Sequence, residues 1–170
     1  MKEHAKMQGK ESIFVSVGTH PQQFDRLLRG IDALAENGKI NGEIFAQTGY
    51  SEYSPKNYKF KKFLSLEEFG EKLARCSIFI THAGEGNIGQ AKNLGKKFIA
   101  VPRSREFGEH TNNHQLELAQ VVEIKKLGLV AWDMDELAKK LSEIGKFAPA
   151  KVASGRIPQI LDDFIRKEFS

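Results

Sequence analysis

Three short runs in this 170-residue sequence place glycine, histidine and other polar groups at the ends of apolar stretches. They are Gly18-Thr19-His20, Thr81-His82-Ala83-Gly84-Glu85-Gly86-Asn87 and Pro102-Arg103-Ser104-Arg105. The second is the most informative. Its glycines let a backbone come close to a ligand, and a helix opening just after them offers free N–H groups and the positive end of its dipole to an anion such as a diphosphate. Gly84-x-Gly86-x-x-Gly89 also satisfies the dinucleotide fingerprint, which keeps an NAD(P)- or flavin-dependent oxidoreductase as an alternative. That fingerprint, however, belongs after the first strand of its unit, with an acidic residue ending the next strand. Here it lies mid-chain, and the next apolar run ends in Pro102-Arg103. His110 and His114 are spaced like a metal pair but have no evident third ligand, so no protein-bound metal is expected.

Such runs act together only if a scaffold brings them to one rim. Ile13 to Val17 is a β-branched run, followed by Phe24, Leu27, Leu28, Ile31, Leu34 and Ala35 at helical spacing. Strands are expected at Glu43 to Thr48, at Tyr58 to Phe63 as an edge, at Ser77 to Thr81, at Phe98 to Val101 and at Leu129 to Trp132. Ser65 and Glu68 have capping-box spacing and open a helix over about 66–75, with Leu66, Phe69, Leu73 and Ala74 on one face. Further helices are predicted from Ile88 to Leu94, over 111–126, and after Asp133, which with Glu136 can cap the segment holding Leu137, Leu141 and Ile144. Strands alternating with helices across short loops give an α/β fold with a mostly parallel sheet and helices on both faces, because parallel neighbours need a crossover. Ligands of such sheets bind beyond the carboxyl ends of the strands, where the three runs fall.

The composition sets the frame. A hydrophobic fraction of 40% and a charged fraction of 28% are those of an ordinary globular domain. The reading is one domain over 12–170, after a disordered tail over 1–11 and closed by an amphipathic segment from Gln159 to Phe169. The net charge of +4 is spread over many lysines with no basic stripe, so no nucleic-acid partner is expected. No apolar stretch approaches the roughly 20 residues of a membrane span. Cys76, the single cysteine, reads as a buried structural thiol and fits a reducing compartment, and MKEHAKMQGKE carries no signal-peptide core. A cytoplasmic chain is expected.

The segment ThrHisAlaGlyGluGlyAsnIleGlyGlnAlaLysAsnLeuGlyLysLysPheIleAlaValPro, followed by GlyGluHisThrAsnAsnHisGln, resembles the C-terminal donor-binding domain of MurG-like GT-B glycosyltransferases. It is most like the small free-standing versions. These are the catalytic subunit of the two-subunit UDP-N-acetylglucosamine transferase of lipid-linked oligosaccharide synthesis, and PssE-like relatives of exopolysaccharide assembly. ValSerValGlyThrHis at 15–20 and PheAspArgLeuLeu at 24–28 match as well, so the likeness covers about residues 13 to 145.

The resemblance implies a Rossmann-like single GT-B donor-binding domain and a UDP-sugar donor. It also implies a lipid-linked glycan acceptor and a membrane-anchored partner subunit that holds the chain peripherally at the membrane. It implies that Gly18, Thr19, His82, Gly84, Gly86 and Asn87 hold the diphosphate, that Gln90 faces the ribose, and that His114 and Gln115 bind donor-sugar hydroxyls. The family usually has Ser at the place of Asn87 and Glu at the place of Gln90. Arg103 or Arg105 can pair with a uronic acid carboxylate if the donor is UDP-glucuronate. For the general base the local candidates are Glu109 and His20, with the partner's side of the cleft as the other source. A UDP-sugar-binding regulator without turnover is a further alternative.

Overall fold

The computed structural model describes residues 10–153 and 155–169. Among them the sheet has six strands: β1 (Ser12–Ser16), β2 (Glu43–Gln47), β3 (Lys59–Lys61), β4 (Ile78–His82), β5 (Phe98–Val101) and β6 (Leu129–Val130). All five pairings are parallel, in the order β3-β2-β1-β4-β5-β6. The helices are α1 (Asp25–Glu36), α2 (Leu66–Arg75), α3 (Glu85–Asn93), α4 (His114–Ile124), α5 (Met134–Glu143) and α6 (Ile157–Phe169). The expected parallel α/β fold is present, with β3 at an edge. Of the tail expected over 1–11, residues 1–9 lie outside the described residues. Glu11 is described, and its carbonyl accepts the Glu43 N–H at 2.8 Å.

Side chains alternate between two cores because successive strand residues point to opposite faces. Phe14, Phe79, Phe98 and Ala100 join Phe69 and Leu73 of α2, Ile88 and Ala91 of α3, Leu118 and Val122 of α4, and Ile157 and Leu161 of α6. Ile13, Val15, Ile78, Ile80, Ile99 and Val101 join Leu27, Leu28 and Ile31 of α1 and Leu137 of α5. The register stacks like with like: Phe14 lies beside Phe79, and Phe79 beside Phe98. Full burial on both faces explains why these strands read as continuous apolar runs.

Several boundaries differ from expectation. α3 begins at Glu85 instead of Ile88, because its glycines need only a helical backbone while Ile88 and Ala91 provide the packing. α4 begins at His114 instead of 111. α2 carries the expected capping box at Ser65 and Glu68, but Leu66 is 93% exposed and Ala74 is exposed, leaving Phe69 and Leu73 as its buried face.

The strand order reverses between β1 and β4, so the chain leaves these two neighbours in opposite directions along the sheet. In sheets of this kind the crevice lies beyond the carboxyl ends of the strands at such a reversal. Beside it, the loop between β2 and β3 is pinned by Asp32 on α1. This carboxylate is 3% exposed and accepts from the Tyr53 hydroxyl at 2.5 Å, Lys56 N at 2.8 Å, Asn57 N at 2.9 Å and Asn57 Nδ2 at 2.8 Å. Burial alone would raise its pKa; the hydrogen bonds outweigh burial and hold it below the ordinary carboxyl value. Replacing Asp32 by Ala strands these donors, so the midpoint of urea unfolding should report a loss of about 2–3 kcal/mol.

Candidate functional site

The crevice is built from polar groups that the two central strands present at their ends. Ser16 and Thr81 are register partners, both buried. Asn87, in the first turn of α3, donates to Ser16 Oγ at 3.2 Å and to Thr81 Oγ1 at 2.9 Å, and Gly18 N donates to the same Ser16 hydroxyl at 3.3 Å. These bonds tie both loops to the start of α3. Thr81 opens the run singled out in the sequence; Ser16 was missed, although a polar residue ending an apolar strand was a usable signal. Asn87, expected on the diphosphate, spends its amide inside this network.

His82 lies between two glycines. A Cβ on Gly18 would overlap its Nε2 edge, and a Cβ on Gly84 would overlap its Cε1. Gly18 also has a φ of +77°, a left-handed conformation that favours glycine. Gly84 is the N-cap of α3 and provides no side-chain hydrogen bond to the first N–H groups of the helix, whereas Ser65 and Asp133 do so for α2 and α5. The amides that open α3 therefore remain available to a ligand. Gly86 has open space where a Cβ would stand.

Beneath the crevice lies Arg103, which is 0% exposed. Its guanidinium donates to the carbonyls of Val17 at 2.6 Å, Gln22 at 2.8 Å, Gln23 at 3.3 Å and Glu109 at 2.9 Å, with its Cζ 5.0 Å from the centroid of Phe24. Its Nε has no partner. Burial lowers its pKa to about 10, so it stays charged at neutral pH. Arg103, expected to pair with a donor carboxylate, is placed with its side chain enclosed and bonded to four carbonyls. Arg105 is exposed.

Glu109, a base candidate by sequence, is likewise enclosed. It is 1% exposed, its carboxylate is bound by Arg26 at 2.8 and 3.0 Å, and it accepts the Ser104 N–H at 3.0 Å. A base needs an accessible lone pair, and here the oxygens are taken. His20 stacks on His110 with centroids 4.1 Å apart and accepts from Gln22 N at its Nδ1, at 3.3 Å. A neutral ring accepting at Nδ1 carries its proton on Nε2 and is a donor there, so His20 as placed does not present a base.

The remaining expected residues divide. Gln115 is buried, with Oε1 receiving the Arg103 N–H at 3.1 Å and Nε2 at 2.9 Å from His82 Nδ1, so both ends of the amide are engaged within the protein. The expected sugar contact of Gln115 would have to compete with these two bonds. His114 is exposed and pairs with Glu117 at 3.3 Å. Gln90 is exposed and lines a groove with Gly86, Asn93 and Pro158 instead of joining the His82 cluster. Thr19 is exposed at the rim.

The model of the glycosyltransferase family 28 C-terminal domain matches residues 12–158, which takes in the whole sheet and every loop of the crevice. The chain belongs to this family. A relative in Yarrowia lipolytica, described as UDP-N-acetylglucosamine transferase subunit ALG13, is 29% identical over 75 residues. The match spans 44% of this chain and only 36% of that relative. Among solved structures, an NMR structure of ALG13 aligns over 95% of this chain and 98% of its own, with a TM-score of 0.58 and 16% identity. MurG of Acinetobacter baumannii aligns over 94% of this chain and 46% of its own, at a TM-score of 0.55 and 13% identity. SnogD, a glycosyltransferase from Streptomyces nogalater, aligns over 92% of this chain and 40% of its own, at 0.56 and 20%. The structural likenesses show the fold; in this chain the glycine-rich corner follows the fourth strand, whereas a dinucleotide fingerprint belongs after the first.

Burial, then the buried Arg103 charge, pushes the His82 pKa down to about 3. Between that value and the ordinary 6.5, the unfolded chain binds a proton that the folded chain excludes. The resulting stability is complete above pH 6.5 and drains away as the pH falls, by about 1.4 kcal/mol per unit at most. Thermal unfolding at a series of pH values should therefore show a steeper loss below neutrality for the wild type than for His82→Gln.

Proposed function

We propose that this chain is the donor-binding part of an inverting glycosyltransferase that uses a UDP-sugar. The carrying observation is the corner where Gly84 leads into α3, with uncapped amides facing a crevice bounded by Gly18 and His82. Family membership supports the reaction class, and the name of the Yarrowia relative supports UDP-N-acetylglucosamine as a donor.

In this reading an acceptor hydroxyl attacks the anomeric carbon from the face opposite UDP. The new carbon–oxygen bond forms as the bond to the β-phosphate oxygen breaks, and UDP leaves with the electron pair. The amides of Glu85 and Gly86 and the positive end of the α3 dipole stabilise the charge on the leaving diphosphate. Gly18 and Thr19 approach from the opposite loop, while Gln90 and His114 are the proposed ribose and sugar contacts. The hydroxyl proton goes to a base on the other side of the cleft, since Glu109 and His20 are engaged as described. A lipid-linked acceptor and a membrane-anchored partner carrying that base complete the proposal. No helix among the described residues is long and apolar enough to cross a membrane, so in this reading the partner brings the chain to the bilayer.

Gly86→Asp gives a direct test, because open space at this position lets the side chain enter without disturbing packing. The wild type at saturating UDP should gain about 2–3 kcal/mol in thermal-shift titration, as expected for ligand at about 100 times Kd. The Asp variant should keep its unliganded melting temperature and lose the shift, with Gly86→Ala close to wild type. A full UDP shift in Gly86→Asp would move the diphosphate away from this corner. Donor and acceptor are read by assaying transfer from UDP-N-acetylglucosamine and UDP-glucuronate with the co-purified partner.

A further inference from the structure

The two ends of a glutamine side-chain amide are chemically distinct, and here the surroundings settle which end faces which group. The Arg103 backbone N–H can only donate, so the end of Gln115 that meets it at 3.1 Å is the oxygen. The other end is then an NH2, which has no lone pair to offer. It stands 2.9 Å from His82 Nδ1, so Nδ1 must accept. A neutral imidazole that accepts at Nδ1 keeps its proton on Nε2. That nitrogen is the edge pressed against Gly18, and among the described residues it has no protein partner.

We propose that Gln115 is a positioning residue: its buried amide, oriented by the Arg103 N–H, locks the His82 ring as the Nε2–H tautomer and so makes His82 a hydrogen-bond donor to a diphosphate oxygen in the crevice. This rests on the diphosphate reading given above. The relay runs in one direction, from the Arg103 N–H to Gln115 Oε1, from Gln115 Nε2–H to His82 Nδ1, and from His82 Nε2–H into the crevice. Each group donates onward. Protonation of Nδ1 would set two donors against each other, while burial and the Arg103 charge hold the ring neutral. The ring stays neutral and its donor does not switch off as the pH rises through neutrality. The wedge between Gly18 and Gly84 prevents the ring from turning to offer its other edge.

Long-range proton–nitrogen correlation spectra of protein labelled at histidine nitrogens read the tautomer directly, with no nucleotide present. The wild type should show His82 with a pyrrole-type Nε2 and a pyridine-type Nδ1 across the neutral range. Gln115→Glu replaces the NH2 by a second acceptor, so the ring should switch to Nδ1–H, with Nε2 bare toward the crevice. UDP should then bind about tenfold more weakly at neutral pH, the size of one lost charge-assisted hydrogen bond. Acidification should restore binding in this variant alone, as the ring becomes an imidazolium with both N–H groups. Gln115→Met is the second variant. It imposes no tautomer, so UDP should bind more weakly with none of the acid rescue. An Nδ1–H ring in the wild type, or an unchanged tautomer in Gln115→Glu, would overturn the proposal. A switched tautomer with unaltered UDP affinity would overturn the donor role. If the tautomers behave as expected but the wild type takes up no UDP, the lock stands and the nucleotide reading of the crevice fails instead.

Discussion

A single buried cation holds the crevice together. The Arg103 guanidinium sits beneath the loops that follow β1 and β5 and bonds carbonyls from both, at Val17, Gln22, Gln23 and Glu109. Those carbonyls lie in irregular backbone, where they have no ladder to join, and an unpaired buried carbonyl is costly. One planar fork of donors satisfies four of them at once. A buried charge is tolerated only when it is well bonded, so cation and loops hold each other in place. The ion pair between Arg26 and Glu109 closes the same arrangement from α1, with Glu109 contributing its carbonyl to Arg103 and its carboxylate to Arg26.

Arg103 also sets the electrostatics above it. Its charge lowers the proton affinity of His20, His82 and His110, adding in each case to burial. Near neutral pH the imidazoles around the crevice are uncharged donors over a fixed positive charge. Hydrogen bonds from neutral groups change little with pH, while the buried charge and the uncapped start of α3 supply a field suited to an anion.

Much of the scaffold was legible in the residues. β-branched and aromatic runs marked the strands, and Ser65 with Glu68 and Asp133 with Glu136 marked helix starts that the structure reproduces. Strand order was not legible, because pairing depends on contacts between segments distant along the chain. Depth was harder still. An arginine beside a strand end looks like a ligand contact on paper. Nothing local in Pro102-Arg103-Ser104 shows that Phe24 and the carbonyls of the first loop enclose it. The enclosure of Glu109 was hidden for the same reason, since its partner Arg26 lies 83 residues away. The inward turn of the Gln115 amide, toward Arg103 and His82, was equally invisible in the sequence.

The wedging of one imidazole between two glycines limits how this corner can vary. Residues 18, 82 and 84 share one volume, so a side chain larger than hydrogen at either flank would require a smaller group in the middle. Such a change would sacrifice the ring. The three positions thus form a composite unit of heredity, tolerant only of coordinated replacement, and a library randomising any one of them alone would return little besides the parental residue.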